Sequence, residues 1–537
     1  MSERRYPGRV AAPGLAIGPL LRLPDPVGHL AACSNGEPGA ERARLTAAIA
    51  AARDAVAALA AGDGEAMAAD ILGFQLAMLE DPALAEAAIA AVDEGADAAA
   101  AWQAAMAAQI AVFAGDDDAY FRARATDLED LRDRVLLALY GDRSDPPALA
   151  AGAVVLAREL TPSRFLALDR QRLAGVALEA GSPASHVAML ARARGIPLLV
   201  DLGAIGEAAG EPGDGRVVID ASATGAGALI VGPSPVTLEH YGRSAATEQT
   251  EALAAAGMVG KPAVTAAGRR ITMMLNVDDP DAVPDDLLRA SDGIGLLRSE
   301  FLCLDRAELP DEATQYAAYR RLLQRLGGRP LILRTFDIGG DKPHRAVPLP
   351  REANPFLGLR GVRLCLARPE IFRPQLRAAI RAAAHGPLSV MLPMVSRAQE
   401  VAAVRALLDA EAADLGLGVP RLGIMVETPA AALTLDTMPI DFASIGSGDL
   451  TQYVMAAARD AAGPVAALAD PLDPAVRRLL RLVVETARQR RLPLSLCGDM
   501  AADRAGLEAV LAVGLEQLSV PPAALGRVKL WISRVNG

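Results

Sequence analysis

From residue 262 to the end, short apolar runs alternate with helical stretches eight times, and that repeat restricts the fold more than any other feature. The runs are ITMMLN from 271, DGIGLL from 292, LILRTF from 331, LSVMLP from 388, LGIMVE from 422, FASIG from 442, LPLSLC from 492 and EQLSV from 516. Between most of them lie helical segments such as ATQYAAYRRLLQRL and RAQEVAAVRALLDAEAADL. Strands joined through helices run parallel with right-handed crossovers, and eight such units close a (β/α)8 barrel of roughly 250 residues. Residues 262–537 are therefore expected to form one barrel.

The preceding chain has a different texture. Residues 6 to 23 read as one or two strands, and residues 41 to 140 as three to five Ala-rich helices broken at 62–64, 81–82, 95 and 115–118. The acidic residues there (Glu65, Asp70, Glu80, Asp81, Glu86, Asp93, Glu94) read as a solvated face. After Pro146-Pro147 the runs AGAVVLA, LAGVALEA, IPLLV and RVVIDA alternate with turns and short helices, an α/β segment reaching about Ala228. The expected organisation is an α/β domain from 1–21 and 146–228, an inserted helical subdomain at 22–145, a linker helix at 229–261 and the barrel.

Charge and composition exclude several classes. A formal charge of -11 argues against a nucleic-acid partner, which calls for a basic footprint. With 52% hydrophobic residues, wholesale disorder is excluded. Cys33, Cys303, Cys365 and Cys497 form no C-x-x-C pair, which suits a reducing cytoplasm better than a disulfide framework. The start MSERRYPGRVAAPG has no secretory pattern, and no later apolar run spans a bilayer uninterrupted, so neither secretion nor membrane insertion is expected.

Chemistry in such a barrel collects at the C-terminal ends of its strands. Those ends carry Asn276, Asp278, Arg298, Glu300, Arg334, Asp337, Glu427, Gly446 to Asp449 and Cys497. Charges directly after apolar runs are costly unless something binds there. Glu427 and Asp449 follow successive strands and either share a hard divalent cation such as Mg²⁺ or make salt bridges on the rim. Arg298, Arg334 and Arg360 offer forks for phosphate and carboxylate, which suggests a phosphorylated carboxylic acid as ligand. Cys497, beside a glycine, is either a proton-donating thiol or an inert core residue. His186 follows a Gly/Ser/Pro turn and precedes a helix-like run, where backbone N–H groups favour an anion and a neutral imidazole can accept a phosphoryl group. The other reading of His186 is a cap or packing residue.

The strings SPASHVAMLARARGIP, DGIGLLRSEFL, RTFDIGGDK, NPFLGLRGVR, VMLPMV, GIMVETPAA, SIGSGDLTQY and LCGDMAAD together resemble Enzyme I of the bacterial phosphoenolpyruvate:sugar phosphotransferase system, over nearly the whole chain. The resemblance implies a multidomain α/β protein with a swivelling phosphohistidine domain, an inserted all-α subdomain and a C-terminal (β/α)8 TIM barrel. It implies that His186 carries the phosphoryl group, that Glu427 and Asp449 hold Mg²⁺, and that Arg298, Arg334 and Arg459, with the Gly448–Asp449 backbone, grip phosphoenolpyruvate. Cys497 would protonate the enolate to give pyruvate. The histidine phosphocarrier HPr would dock on the helical subdomain, and the barrel would form a homodimer.

Three positions depart from the family pattern. Ala184 stands where a Thr usually precedes Ser-His, Gly448 where an Asn usually precedes the Asp, and Asp499 where a Glu usually follows Cys-Gly. They motivate the alternative of a degenerate or regulatory member that binds phosphocarrier or phosphoenolpyruvate with weak turnover. A dikinase or synthase of the wider family would need a large nucleotide-binding domain, which the first 145 residues are too short and helical to form. The lack of a sensory domain ahead of Met1 disfavours a nitrogen-type variant.

Overall fold

The computed structural model describes residues 3–24, 36–62, 66–114, 119–141, 148–183, 185–205, 215–222, 226–303, 308–340, 344, 346–350, 352–458 and 463–536. The chain divides into two units, Met1–Glu248 and Gln249–Gly537.

The first unit is built on seven strands: β1 (Arg4–Ala12), β2 (Gly14–Arg22), β3 (Ala153–Ala157), β4 (Leu173–Leu178), β5 (Leu198–Val200), β6 (Arg216–Ala221) and β7 (Ala226–Val231). They close into a barrel in the order β1-β5-β4-β3-β2-β6-β7, with β7 returning antiparallel to β1. The sequence reading ends the α/β segment at about Ala228 and names no strand after RVVIDA, whereas β7 runs from Ala226 to Val231 and closes the barrel. Gly227 is the second residue of β7. In the structure a Cβ there would lie 2.5 Å from the Asp220 carbonyl, so the glycine serves close strand approach.

Five helices lie between β2 and β3: α1 (Pro38–Gly62), α2 (Ala66–Glu80), α3 (Pro82–Asp93), α4 (Ala98–Ala114) and α5 (Ala119–Leu139). They pack on Leu45, Val56, Leu72, Trp102, Met106, Leu128, Leu131 and Val135, with alanines filling the close contacts. Asp81 ends α2 and caps α3, its carboxylate accepting from the Ala83 N–H at 2.9 Å. Glu80, Asp81, Glu86, Asp93 and Glu94 are exposed, as expected of a solvated face, while Glu65 and Asp70 fall outside the described side chains. The unit continues with α6 (Pro162–Ala167), α7 (His186–Arg194) and α8 (Pro235–Ala256), and the division between units falls within α8. Asp130 of α5 ties the helices to α6: it accepts from the Ser163 hydroxyl at 2.6 Å, the Ser163 N–H at 2.9 Å and the Gln75 amide at 3.0 Å.

In the second unit a short β8 (Ala263–Val264) pairs antiparallel with β9 (Arg270–Val277). Then follow β10 (Ile294–Arg298), β11 (Leu331–Arg334), β12 (Leu388–Leu392), β13 (Arg421–Val426), β14 (Phe442–Ile445), β15 (Leu494–Leu496) and β16 (Gln517–Val520). β9 to β16 pair in parallel in sequence order, and β16 also pairs in parallel with β9, which closes an eight-stranded barrel. All eight strands expected from sequence are present. Helices α9 (Asp285–Ala290), α10 (Glu312–Leu326), α11 (Val362–Ala367), α12 (Pro369–Ala383), α13 (Ala398–Leu415), α14 (Pro429–Leu433), α15 (Ser447–Met455), α16 (Pro474–Arg490), α17 (Arg504–Ala512) and α18 (Leu525–Arg534) complete the unit. A large apolar core lies among strands and helices, and a second cluster of Leu296, Ile332, Met391, Met425, Phe442 and Cys497 comes from successive strands. Among the described residues, no helix is long and apolar enough to cross a membrane.

Gly18 in β2 is a fixed point of the smaller barrel, since a Cβ there would sit 1.7 Å from the Gly152 carbonyl oxygen. Backbone cannot yield as a side-chain tip can. Gly18→Ala is expected to cost at least about 2 kcal/mol by overpacking, read as a lowered denaturation midpoint; an unchanged midpoint would contradict this packing.

Candidate active site

The C-terminal ends of the large barrel's strands hold a buried chain of charges. Arg334, the last residue of β11, directs Nη2 to Glu300 Oε2 at 3.1 Å and Nη1 to Asp337 Oδ2 at 3.3 Å. Asp337 is gripped bidentately by Arg360, with Nε to Oδ1 and Nη2 to Oδ2 each at 2.9 Å. Arg360 Nη2 also reaches Asp449 Oδ2 at 2.9 Å. Glu300 Oε1 accepts from the Asp337 N–H at 2.5 Å, which anchors the loop after β11. Arg334, Asp337, Arg360, Glu427 and Asp449 are all buried. Such groups are tolerated only when each charge has an opposite partner nearby.

Glu427 follows β13 directly and accepts from the Met394 N–H at 2.6 Å. Burial, then the charges of Asp337 and Asp449, push its carboxyl up to about 8, against the opposing pull of Arg334 and the Met394 N–H. Burial pulls Arg334 toward its neutral form, but Glu300, Asp337 and Glu427 outweigh it and the net direction is up. The mouth thus concentrates hard oxygen donors whose mutual repulsion a cation would offset. Asp449 enters it in the first turn of α15, which follows β14. Gly448 beside it is exposed, and a Cβ there would meet nothing within 4 Å, so the missing Asn side chain is not a steric requirement. No group of three or more His, Cys, Asp and Glu suited to a metal occurs among the described residues. A two-carboxylate donor set nevertheless fits Mg²⁺, which commonly takes one or two carboxylates and fills its other positions with water and substrate oxygens.

Cys497 follows β15, buried in the inner apolar cluster, with Sγ 3.6 Å from the Ile445 carbonyl oxygen. Burial pushes its thiol up to about 11, so it holds its proton at neutral pH. The charges of Glu427, Arg334 and Arg298 all reach this thiol, Glu427 raising it and the two arginines lowering it. Close approach is secured at Gly498, where a Cβ would lie 1.8 Å from Ser447 Oγ. Arg298 lies outside the buried chain and is half exposed, paired with Asp278 at 2.8 Å. Arg459 and Ala184 lie outside the described residues. Asp499 is exposed.

His186 belongs to the first unit. It is the first residue of α7, whose N-cap Ser185 accepts from the Ala188 N–H at 3.2 Å, and Gly195 ends the helix in the left-handed conformation. The helix N-terminus expected from the Gly/Ser/Pro turn is therefore present. The sequence does not reveal the imidazole's partner: Nδ1 lies 3.1 Å from Oδ1 of the fully buried Asp127 in α5. No local pattern joins residues so far apart in the chain. Asp337 and Glu300 stood among the strand-end residues without a role, and Arg360 sat in a loop string whose burial no periodicity reveals.

Comparison with known proteins places these features in a family. The chain matches the model of the PEP-utilising enzyme N-terminal domain over residues 7–124, that of the mobile domain over 149–224, and that of the PEP-binding domain over 254–536. It is 36% identical over 536 residues to a phosphoenolpyruvate-protein phosphotransferase of Geobacillus stearothermophilus, covering 97% of this chain and 92% of that one. It is 32% identical over 539 residues to the protein of that name from Bacillus subtilis, covering 98% and 94%. A solution structure of an Enzyme I protein is 25% identical with a TM-score of 0.38, covering 45% of this chain and 99% of that one. The chain belongs to the phosphoenolpyruvate-protein phosphotransferase (Enzyme I) family of PEP-utilising enzymes.

Proposed function

We propose that the chain transfers the phosphoryl group of phosphoenolpyruvate to its own His186, releasing pyruvate, and then to a histidine phosphocarrier protein of the HPr type. The observation that carries this reading is the buried run Arg334–Asp337–Arg360–Asp449 with Glu427 at the barrel mouth. Phosphoryl transfer calls chiefly for positioning and for neutralising charge on equatorial oxygens, and this mouth is organised for both. Arg298, Arg334 and Arg459 bind phosphate and carboxylate, helped by the backbone N–H groups at Gly448 and Asp449. Glu427 and Asp449 hold Mg²⁺, which supplies charge neutralisation at the transferring group. The protonated Cys497 thiol delivers its proton to the enolate carbon, and a thiol kept neutral by burial suits an acid better than a nucleophile.

In this reading, residues 1–21 and 146–228, with β7 carrying the latter on to Val231, form the phosphohistidine domain, 22–145 the helical subdomain that docks HPr, the stretch after Val231 up to 261 the linker and 262–537 the phosphoenolpyruvate-binding and dimerisation domain. The protein acts in the cytoplasm, where phosphoenolpyruvate is available, as a homodimer through the barrel. The degenerate alternative rests on Ala184 and Gly448. Retention of His186, Glu427, Asp449 and Cys497 together favours turnover.

Incubation with labelled phosphoenolpyruvate and Mg²⁺ tests the proposal: the full chain takes up acid-labile label that HPr removes, and His186→Ala takes up none. Label persisting on the variant would place the acceptor elsewhere. Cys497→Ala slows pyruvate formation by about 10²-fold while binding phosphoenolpyruvate normally; unchanged turnover would leave the residue a core thiol. Glu427 also sets a pH dependence. Its carboxyl is raised on folding, so between about pH 4.5 and 8 the metal-free folded state holds a proton that the unfolded state has lost, and stability falls as pH rises through that window. Glu427→Gln flattens this slope in melting curves taken in chelator and abolishes Mg²⁺-dependent turnover; a slope unchanged by the substitution would contradict the assignment.

A further inference from the structure

We infer that Asp127, carried by the inserted helix α5, is a positioning residue that fixes the tautomer of His186 and so selects Nε2 as the phosphoryl acceptor. The inference rests on the proposed phosphohistidine role of His186. Its geometric basis lies wholly within the first unit. His186 Nδ1 stands 3.1 Å from Asp127 Oδ1, and the other carboxylate oxygen accepts from Arg124 Nη1 at 3.0 Å. Asp127 is fully buried, and the His186 side chain is only 10% exposed. The guanidinium of Arg124 lies over the Phe74 ring at 4.6 Å, which braces the carboxylate from behind. One turn along α5, Asp130 binds the Ser163 hydroxyl and N–H at the start of α6. The helix that presents Asp127 is thereby pinned to the domain that carries His186.

An ionised carboxylate only accepts hydrogen bonds, so a neutral imidazole facing it places its proton on Nδ1. That choice leaves the Nε2 lone pair available, because the tautomer of a histidine is set by the hydrogen bond its other nitrogen makes. In the transfer, the Nε2–P bond forms as the bond from phosphorus to the enol oxygen breaks, and the electron pair leaves with the enolate. Nδ1 keeps its proton throughout. The product ring is substituted on both nitrogens and carries positive charge, which the Asp127 carboxylate beside Nδ1 stabilises. The same logic operates where an aspartate orients a catalytic histidine and supports its cationic form without taking its proton. The helical insert therefore has a second task besides docking a partner: it supplies a group to the phosphorylation site.

The test uses the full chain with ¹⁵N-labelled histidine, the His186 signals being assigned by their loss in His186→Gln. With its ring neutral, wild-type His186 shows a protonated Nδ1 and a bare Nε2, and after phosphorylation the phosphorus couples to Nε2. In Asp127→Ala the Nε2-protonated form becomes the major tautomer. Self-phosphorylation slows by at least about 100-fold with KM for phosphoenolpyruvate nearly unchanged, as for loss of an orienting aspartate. Asp127→Glu restores part of the rate. An Nε2-protonated wild type, or a tautomer and rate unmoved in a folded Asp127→Ala, overturns the inference. Because the tautomer is read without turnover, a chain that shows the Nδ1 proton yet takes no phosphoryl group would sink the proposed activity and leave the positioning role standing.

Discussion

The bidentate pair between Arg360 and Asp337 is the interaction on which the rest of the barrel mouth depends. Both side chains are fully buried, and each holds a second partner: Arg360 reaches Asp449, and Asp337 takes Arg334. Removing either partner would strand a charge in the protein interior, a change typically costing several kcal/mol. A hydrophobic mouth of the same shape would fold at least as well, so this arrangement is explained by what it binds. Three carboxylates and two guanidiniums held in fixed positions need little reorganisation when an anionic substrate and a cation arrive.

Much of this was legible in the sequence, and the reasons are physical. Parallel strands buried on both faces read as continuous apolar runs, so all eight barrel strands stood out, and charges set directly after such runs marked Arg334, Glu427 and Asp449. The helix N-terminus at His186 was legible because its turn, cap and C-terminal glycine are local signals. Contacts made across the fold were not. Asp127 sits among acidic and basic residues in α5 that look alike in sequence, and only packing decides that Asp127 and Asp130 are buried while Asp93 and Glu94 are exposed. β7 was missed because the α/β segment was expected to end at about Ala228, within this strand. Arg360 lies after a short 3-10 turn in a loop, where no period indicates which side faces inward.

The two units solve different parts of one chemical problem. The large barrel gathers charge for a phosphorylated acid and keeps a protonated thiol in an apolar cluster beside it. The first unit holds a single imidazole at a helix N-terminus, with one nitrogen engaged by a buried carboxylate. In each, a key side chain is conditioned by partners distant in sequence: the charges of Asp337 and Asp449 act on Glu427, and Asp127 faces the His186 imidazole. Position 448 shows how the family pattern can vary without strain. A glycine there leaves open space where a side chain could stand.

The central claim is that the buried charges at the barrel mouth form a site for phosphoenolpyruvate completed by a divalent cation. Calorimetric titration of phosphoenolpyruvate into the full chain, with Mg²⁺ and with chelator, tests it most directly. The account predicts binding that requires Mg²⁺ and is lost in Arg334→Met. Equal affinity with and without the metal, or undiminished binding by that variant, would contradict it.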